Sequence, residues 1–224
     1  MLKVFIIGAT GKTGSLLAKK LVASGHEVHA LYRKPGQADK LRADGISPHE
    51  GDLVTITEVQ LADTMRECNA VVFTAGANGG GEEMTEAIDG NGVVLASKAA
   101  EIVGIKRFIL VSAFPDAWRE KHMPPDFEHY MFVKRQADVF LAASNLDWII
   151  VRPGTLLDSS GTGNVRAGLA IPYGKISRAD VAAFIVGVLN NIYITRIIIE
   201  LTEGEREILA MVDEIAQLSP KTCT

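Results

Sequence analysis

The stretch VFIIGATGKTG, residues 4–14, places three glycines at every third position directly behind a run of large apolar residues. A short apolar run rich in β-branched residues is typical of a buried strand. The following stretch, residues 13–24, predicts a helix, with Leu17 and Leu21 on one side and Gly25 as its C-terminal cap. The three glycines therefore occupy a turn between a first strand and a first helix.

The spacing of Gly8, Gly11 and Gly14 is a GxxGxxG variant of the dinucleotide-binding fingerprint. One glycine turns the chain, another lets the backbone approach a pyrophosphate, and the last lets the helix pack on the strand. Backbone N–H groups at the positive end of the helix dipole suit a phosphate anion. In this turn they are offered by Ala9, Thr10, Lys12 and Thr13.

Apolar runs alternate with helical patterns along the rest of the chain, which predicts a doubly wound α/β fold with a parallel sheet covered on both faces. The runs are KVFIIG (3–8), EVHALY (27–32), AVVFTAG (70–76), RFILVSA (107–113), DWIIVRP (147–153) and RIIIEL (196–201). A further strand is expected within residues 45–52, although Pro48 weakens that signal. We predict one domain over residues 1–224 with a very small C-terminal appendage on the substrate side.

Two segments after strands have the length of functional loops, residues 115–127 and 154–175. Both follow the carboxyl ends of predicted strands, and ligands of open α/β sheets bind at that edge. We therefore expect these two loops to form the substrate side of the domain.

Composition excludes several other classes of protein. Hydrophobic residues make up 47% and charged residues 22% of the 224 residues, which favours a globular chain over a disordered one. The net charge of -4, with both signs scattered, argues against a nucleic-acid partner. Apolar stretches are too short for a signal peptide or a membrane span, and Cys68 and Cys223 are too far apart to suggest a disulfide framework. We expect a cytoplasmic protein with no membrane partner and no metal site.

The end of the second strand distinguishes the two pyridine dinucleotides. An NAD site normally has an acidic residue there, whereas this chain has Arg33 and Lys34. A guanidinium can bind a 2′-phosphate through two hydrogen bonds. The sequence therefore predicts NADP, with NAD less favoured, and the alternative is a solvated surface pair.

Two more strand ends carry candidate cofactor contacts. Asp52 and Leu53 follow the third strand and could meet an adenine ring. Small residues after the fourth strand, Ala75, Gly76 and Ala77, leave room for a ribose or for the nicotinamide half. Either stretch could instead be a capping turn.

The motifs GATGKTG, LYRKP, GDL, TAGA, RFILVSA, HYMFVK, DWIIVRPG and ISRADVAAFI stand in this order along the chain. Together they resemble the atypical short-chain dehydrogenase/reductases, which are NAD(P)-binding Rossmann proteins related to epimerases, to biliverdin and flavin reductases and to NmrA-like regulators. The resemblance implies catalytic roles for Ser112, Tyr130 and Lys134. It also implies that Lys134 holds the nicotinamide ribose and that Pro153 lies near the carboxamide.

The spacing of Tyr130 and Lys134 has its own physical meaning. Positions i and i+4 share one helix face, so the lysine is expected to lower the pKa of the phenol and make Tyr130 a better proton donor. Ser112 is expected to hydrogen-bond the same acceptor oxygen. The alternative is a surface Tyr and Lys on an amphipathic helix.

These observations predict an NADPH-dependent oxidoreductase that transfers hydride to a small carbonyl, quinone or flavin-like acceptor. Only 71 residues follow Pro153, which leaves few walls for a larger substrate. The alternatives are an NmrA-like sensor of NADP(H) without catalysis and a nucleotide-sugar epimerase or dehydratase. The sequence leaves the oligomeric state open.

Overall fold

The computed structural model describes residues 1–114, 117 and 121–220. Its strands are β1 (Lys3–Ile7), β2 (Glu27–Tyr32), β3 (Ser47–Glu50), β4 (Ala70–Phe73), β5 (Arg107–Val111), β6 (Asp147–Pro153), β7 (Thr155–Leu157), β8 (Asn164–Gly168), β9 (Lys175–Ser177), β10 (Ile197–Glu203) and β11 (Arg206–Glu207). Its helices are α1 (Lys12–Ala23), α2 (Gln37–Ala43), α3 (Glu58–Met65), α4 (Glu82–Met84), a π-helix (Thr85–Asn91), α5 (Gly92–Ile102), α6 (Pro125–Ala142), α7 (Arg178–Asn190) and α8 (Ile208–Leu218).

Nine of the described strands form one sheet in the order β11-β8-β10-β6-β5-β4-β1-β2-β3. From β10 to β3 every neighbouring pair is parallel, and β8 pairs antiparallel with β10 at the other side. This arrangement confirms the predicted doubly wound Rossmann fold. The order reverses between β1 and β4, and the carboxyl ends of the strands meet at one edge around that crossing point.

Residues of β1 show why its sequence is apolar throughout. Val4 and Ile6 belong to the core on the face covered by α1 and α7, whereas Phe5 and Ile7 belong to the core on the opposite face, with α3, α5 and α6. All four side chains are at most 1% exposed. A strand buried on both faces needs a continuous apolar run, and each such side chain contributes about 1.5–3 kcal/mol to stability.

The segment 154–175 is not the irregular loop that the sequence predicts. It contains β7 and β8, and β9 begins at its last residue. β8 gains its hydrogen bonds from β10, with Leu201 opposite Ala167, so its stability comes from long-range pairing that the local sequence does not show. The other predicted loop, 115–127, gives its last three residues to the first turn of α6; residues 115, 116 and 118–120 lie outside the described residues, as does Cys223.

The partly buried side chain of Arg107 joins elements far apart in the chain. Arg107, at the start of β5, donates from its guanidinium to the carbonyls of Val188, Asn191 and Ile194 at 2.6, 2.8 and 3.1 Å. It thereby adds a charged donor to carbonyls in the last turn of α7 and just after it, where Val188 and Asn191 also accept from the backbone N–H groups of Asn191 and Ile194.

Cys68, between α3 and β4, is 8% exposed, and burial raises the pKa of its thiol to about 11.

Candidate functional site

The glycine turn is tightly enclosed. Gly8 has a φ of +98°, which favours glycine, and a Cβ built there would lie 2.5 Å from the backbone N of Ala75. A Cβ on Gly14 would lie 2.2 Å from the carbonyl oxygen of Gly8. Backbone contacts therefore require glycine at two of the three predicted positions: Gly8 packs against the segment after β4, and Gly14 packs against the Gly8 carbonyl. At Gly11 a Cβ would lie 3.2 Å from the Gly8 carbonyl oxygen, a tight contact that leaves more room.

The N-terminus of α1 has the chemistry of an anion site. Gly11 is the N-cap residue, so no side chain caps the helix, and the first turn holds no acidic residue. The first N–H groups of an uncapped helix lack a hydrogen-bond acceptor, and the helix dipole favours a negatively charged acceptor there. Thr10, in the glycine turn, is exposed, and Thr13, in the first turn of α1, is buried. These observations fit the pyrophosphate of a dinucleotide.

Lys12 links this turn to the segment after β7. Its ammonium lies 2.5 Å from the carboxylate of Asp158, and the guanidinium of Arg178 at the start of α7 lies 2.6 Å from the same carboxylate. The two cations lower the pKa of Asp158 below its usual value, with the Lys12 hydrogen bond as the largest cause. The predicted phosphate contact Lys12 therefore already has an internal anion as partner.

Arg33 follows β2 directly, as the sequence predicts for the adenosine end. Its side chain is 49% exposed, and its nearest described carboxylate oxygen, Oδ2 of Asp52, is 3.9 Å away. Asp52 also accepts a hydrogen bond from the backbone of Val54 at 3.0 Å, so it caps its own turn as the alternative reading expected. Leu53 is partly buried against the core under α3. A cleft of about 420 Å³ lies beside them, lined by Glu50, Gly51, Asp52, Thr55, Ile56, Gln60 and Thr64.

The backbone after β4 is held by a carboxylate that the sequence did not indicate. Asp89 accepts a hydrogen bond from the backbone N of Ala77 at 2.9 Å and is 2% exposed. A Cβ on Gly76 would lie 3.2 Å from Asp89 Oδ1, so this glycine lets the carboxylate approach. Asp89 lies in the π-helix, a rare element that is frequent at functional sites.

Lys134 is buried, and its ammonium contacts both the π-helix and the last residue of β5. Its Nζ atom lies 3.4 Å from Asp89 Oδ1 and donates to the carbonyl of Val111 at 3.2 Å, with only 3% of the residue exposed. Burial alone favours the neutral amine, but Tyr130, Asp89 and Asp138 together outweigh it and raise the pKa of Lys134. The lysine is therefore a fixed cation beside the end of β5, which excludes the interpretation as a surface lysine.

Tyr130 differs from the expectation in its acidity. Burial raises the pKa of the phenol above its ordinary value, and the opposing effect of Lys134 is smaller. Lys134 lowers this pKa as expected, but the net shift is upward, so the phenol does not become more acidic overall. The physical reason is that Asp89 and Asp138 add negative charge nearby while the ring loses water. Tyr130 accordingly stays protonated at neutral pH.

Ser112 follows β5 directly and is buried, and its backbone N–H donates to the carbonyl of Val151 at 2.8 Å. Its hydroxyl has no hydrogen-bond partner among the described residues. Pro153 ends β6 opposite Leu201 of β10, and the backbone N–H of Gly154 donates to the Leu201 carbonyl at 2.9 Å. Ser112 and Pro153 thus lie at the ends of neighbouring strands.

A family model described as NAD(P)H-binding matches residues 8–192. The chain belongs to this NAD(P)H-binding family. The match begins at the glycine turn and ends beyond α7, so it covers the whole of the edge described above. It confirms the resemblance to the atypical short-chain dehydrogenase/reductases.

Relatives of the NAD(P)H-binding family agree with this fold. The chain is 37% identical over 213 residues to the "Uncharacterized sugar epimerase YhfK" of Bacillus subtilis, covering 92% of this chain and 97% of the relative. Among solved structures, a putative NAD-dependent epimerase/dehydratase from Bacillus halodurans is 32% identical with a TM-score of 0.87, covering 96% and 100% of the two chains. ChuY, an anaerobillin reductase from Escherichia coli O157:H7, is 26% identical with a TM-score of 0.77, covering 92% and 98%.

Two buried carboxylates of this NAD(P)H-binding chain were missed by sequence reasoning. Asp138 could have been found, because it follows Tyr130 and Lys134 at further steps of four on the same face of α6. Asp89 carries no such signal. Asp180, in the ISRADVAAFI motif, is also buried and accepts hydrogen bonds from the Ser177 hydroxyl and from the backbone of Thr162 and Gly163.

Two general features, a membrane-spanning helix and a metal-binding cluster, are absent from the described residues of this family member. None of its described helices combines the length and the apolar character that a membrane span requires. Within the same residues, no three His, Cys, Asp or Glu side chains gather as a metal site would require.

Proposed function

We propose that this protein is an NADPH-dependent reductase of a small carbonyl, quinone or flavin-like acceptor. The observation that carries the proposal is the placement of a buried ammonium, Lys134, one helical turn from Tyr130 and against the end of β5, where Ser112 follows. A bound nicotinamide cofactor supplies the hydride. The chain supplies the proton and the positive charge that the reduced acceptor needs.

Tyr130 is the proton donor in this proposal. Its raised pKa keeps it protonated at neutral pH, and the nearby Lys134 cation stabilises the phenolate that remains after the proton has moved. Lys134 cannot turn away easily, because Asp89 and the Val111 carbonyl hold its ammonium in place. The glycine turn, Arg33 and the backbone after β4 would hold the pyrophosphate, the 2′-phosphate and the ribose.

The test is NADPH oxidation with a panel of aldehydes, quinones and flavins, followed at 340 nm. Tyr130→Phe should lower kcat/KM by about 10²–10⁴-fold, because it removes the proton donor and leaves the ring in place. Tyr193→Phe is the matched control, since Tyr193 is 74% exposed in the turn after α7. Absence of turnover with every acceptor, or equal rates in Tyr130→Phe and wild type, would contradict the proposal.

The names of two relatives support a second candidate, an epimerase with tightly held NAD. Such an enzyme oxidises and re-reduces its substrate, so it has no need to exchange its dinucleotide. The candidate predicts that NAD copurifies with the protein and that added acceptors leave its redox state unchanged.

A further inference from the structure

Asp158 follows β7 directly, and its carboxylate lies between two cations. The Oδ2 atom accepts from the ammonium of Lys12 at 2.5 Å, and the Oδ1 atom accepts from the guanidinium of Arg178 at 2.6 Å. Lys12 is the first residue of α1, directly after the N-cap Gly11. The carboxylate therefore neutralises the lysine that begins α1, where the glycine fingerprint predicts a diphosphate.

Neighbouring elements hold the backbone on both sides of Asp158. Before it, Leu157 pairs with Ser177 where β7 meets β9. After it, the carboxylate of Asp180, which is 3% exposed, accepts from the backbone N–H of Thr162 at 2.9 Å. The Asp158 carboxylate can therefore leave the lysine by rotation of its own side chain, while the backbone around it stays in place.

The two contacts of this carboxylate differ in their exposure to water. Arg178 also donates to the carbonyl of Leu156 at 3.2 Å, and only 20% of its side chain is exposed. The contact with Lys12 is open, because 69% of the lysine side chain and 60% of the Asp158 side chain are exposed. An exposed ion pair is weak, and a diphosphate carries more negative charge than a single carboxylate. A diphosphate can therefore take Lys12 while Asp158 keeps Arg178 as its partner.

We propose that Asp158 competes with the dinucleotide diphosphate for Lys12, and that this competition lowers the affinity for the cofactor and speeds its release. On cofactor binding, the ammonium turns to the diphosphate and Asp158 stays with Arg178. Because Asp158 remains within reach, it recaptures the ammonium and assists release. The inference rests on the dinucleotide site and not on the proposed acceptor. It suits an enzyme that exchanges its dinucleotide in each turnover, as a reductase does.

Binding of NADPH, followed by its fluorescence, tests the competition without any acceptor. Asp158→Asn should lower the Kd by about 5-fold, because it removes the competing charge from Lys12. A chase with excess NADP should then show a correspondingly slower release of NADPH. Asp44→Asn is the matched control, since it removes the partner of Lys19 on the same helix and changes the net charge equally. It should leave the Kd within about 2-fold of wild type, because water and salt screen a distant charge.

Two further comparisons separate competition from a general effect of charge. In a Lys12→Gln background, Asp158→Asn should change the Kd by less than about 2-fold, because the competing pair no longer exists. The gain in affinity should be equal for NADPH and NADH, since both carry the same diphosphate. An unchanged Kd in Asp158→Asn, an equal gain with and without Lys12, a gain for NADPH alone, or no binding of either nucleotide would overturn the inference. The expected gain without turnover of any acceptor would leave it standing and contradict only the proposed reductase.

Discussion

Arg33 extends from the end of β2 with half of its side chain exposed and its nearest described carboxylate oxygen 3.9 Å away. A guanidinium held this loosely can bind a phosphate without first breaking a short ion pair. We propose that its charge, with that of the adjacent Lys34, distinguishes a 2′-phosphate from a 2′-hydroxyl.

We expect Arg33→Gln to weaken NADPH binding by about 10-fold or more and to leave NADH binding nearly unchanged, because a charged hydrogen-bond donor is worth about 1.5–3 kcal/mol. Titration calorimetry with both nucleotides measures the two affinities. Arg66→Gln is the control, since Arg66 pairs with Asp63 at the end of α3. Equal losses for NADPH and NADH would remove Arg33 from this role.

At the scale of elements, the sequence predicts best those strands and helices that a local pattern of residues determines. The strands β1, β4, β5 and β6 carry continuous apolar runs because the sheet buries both of their faces, and the site residues at their ends follow from that. The strand β8 and the π-helix were not predicted, because long-range pairing and packing stabilise them. For the same reason the burial of Asp89 and Asp138 was not foreseen: an acidic residue on a helix normally indicates a solvated face.

Arg107 links β5 to the end of α7 and to the turn after it. Arg107→Met should lower the free energy of unfolding by about 3 kcal/mol, because the carbonyls of Val188, Asn191 and Ile194 lose a charged donor. Urea unfolding followed by circular dichroism measures the change. Arg66→Met, which removes only an exposed pair, should stay within about 0.5 kcal/mol of wild type. A loss below 1 kcal/mol in Arg107→Met would count against this cap.

For the whole molecule, stability should depend on pH through His49 on β3. His29 and His49 lie with ring nitrogens 2.9 Å apart, and His29 also contacts Glu27. Burial, followed by the charge of His29, lowers the pKa of His49. The unfolded chain then binds more protons than the folded one below pH ~6.5, so stability falls as the pH drops from there through the folded pKa.

We expect the melting temperature to fall between pH 7.5 and 5.5 by more in wild type than in His49→Gln, which lacks the titrating ring. His122→Gln, at an exposed position, should follow the wild-type profile. Differential scanning calorimetry at several pH values gives the comparison. Parallel profiles for wild type and His49→Gln would exclude this source of acid sensitivity.

Because the Cys68 thiol is buried, its chemical reactivity reports local unfolding of the chain around it. With a pKa of about 11, roughly one thiol in a thousand is thiolate at pH 8, whereas an unfolded cysteine near pKa ~8.5 is reactive in about a quarter of molecules. In a Cys223→Ser background, the rate of alkylation by iodoacetamide therefore measures local opening of the region between α3 and β4. A dinucleotide bound at the carboxyl ends of the strands, the sheet edge opposite Cys68, would stabilise the folded chain and should slow this alkylation.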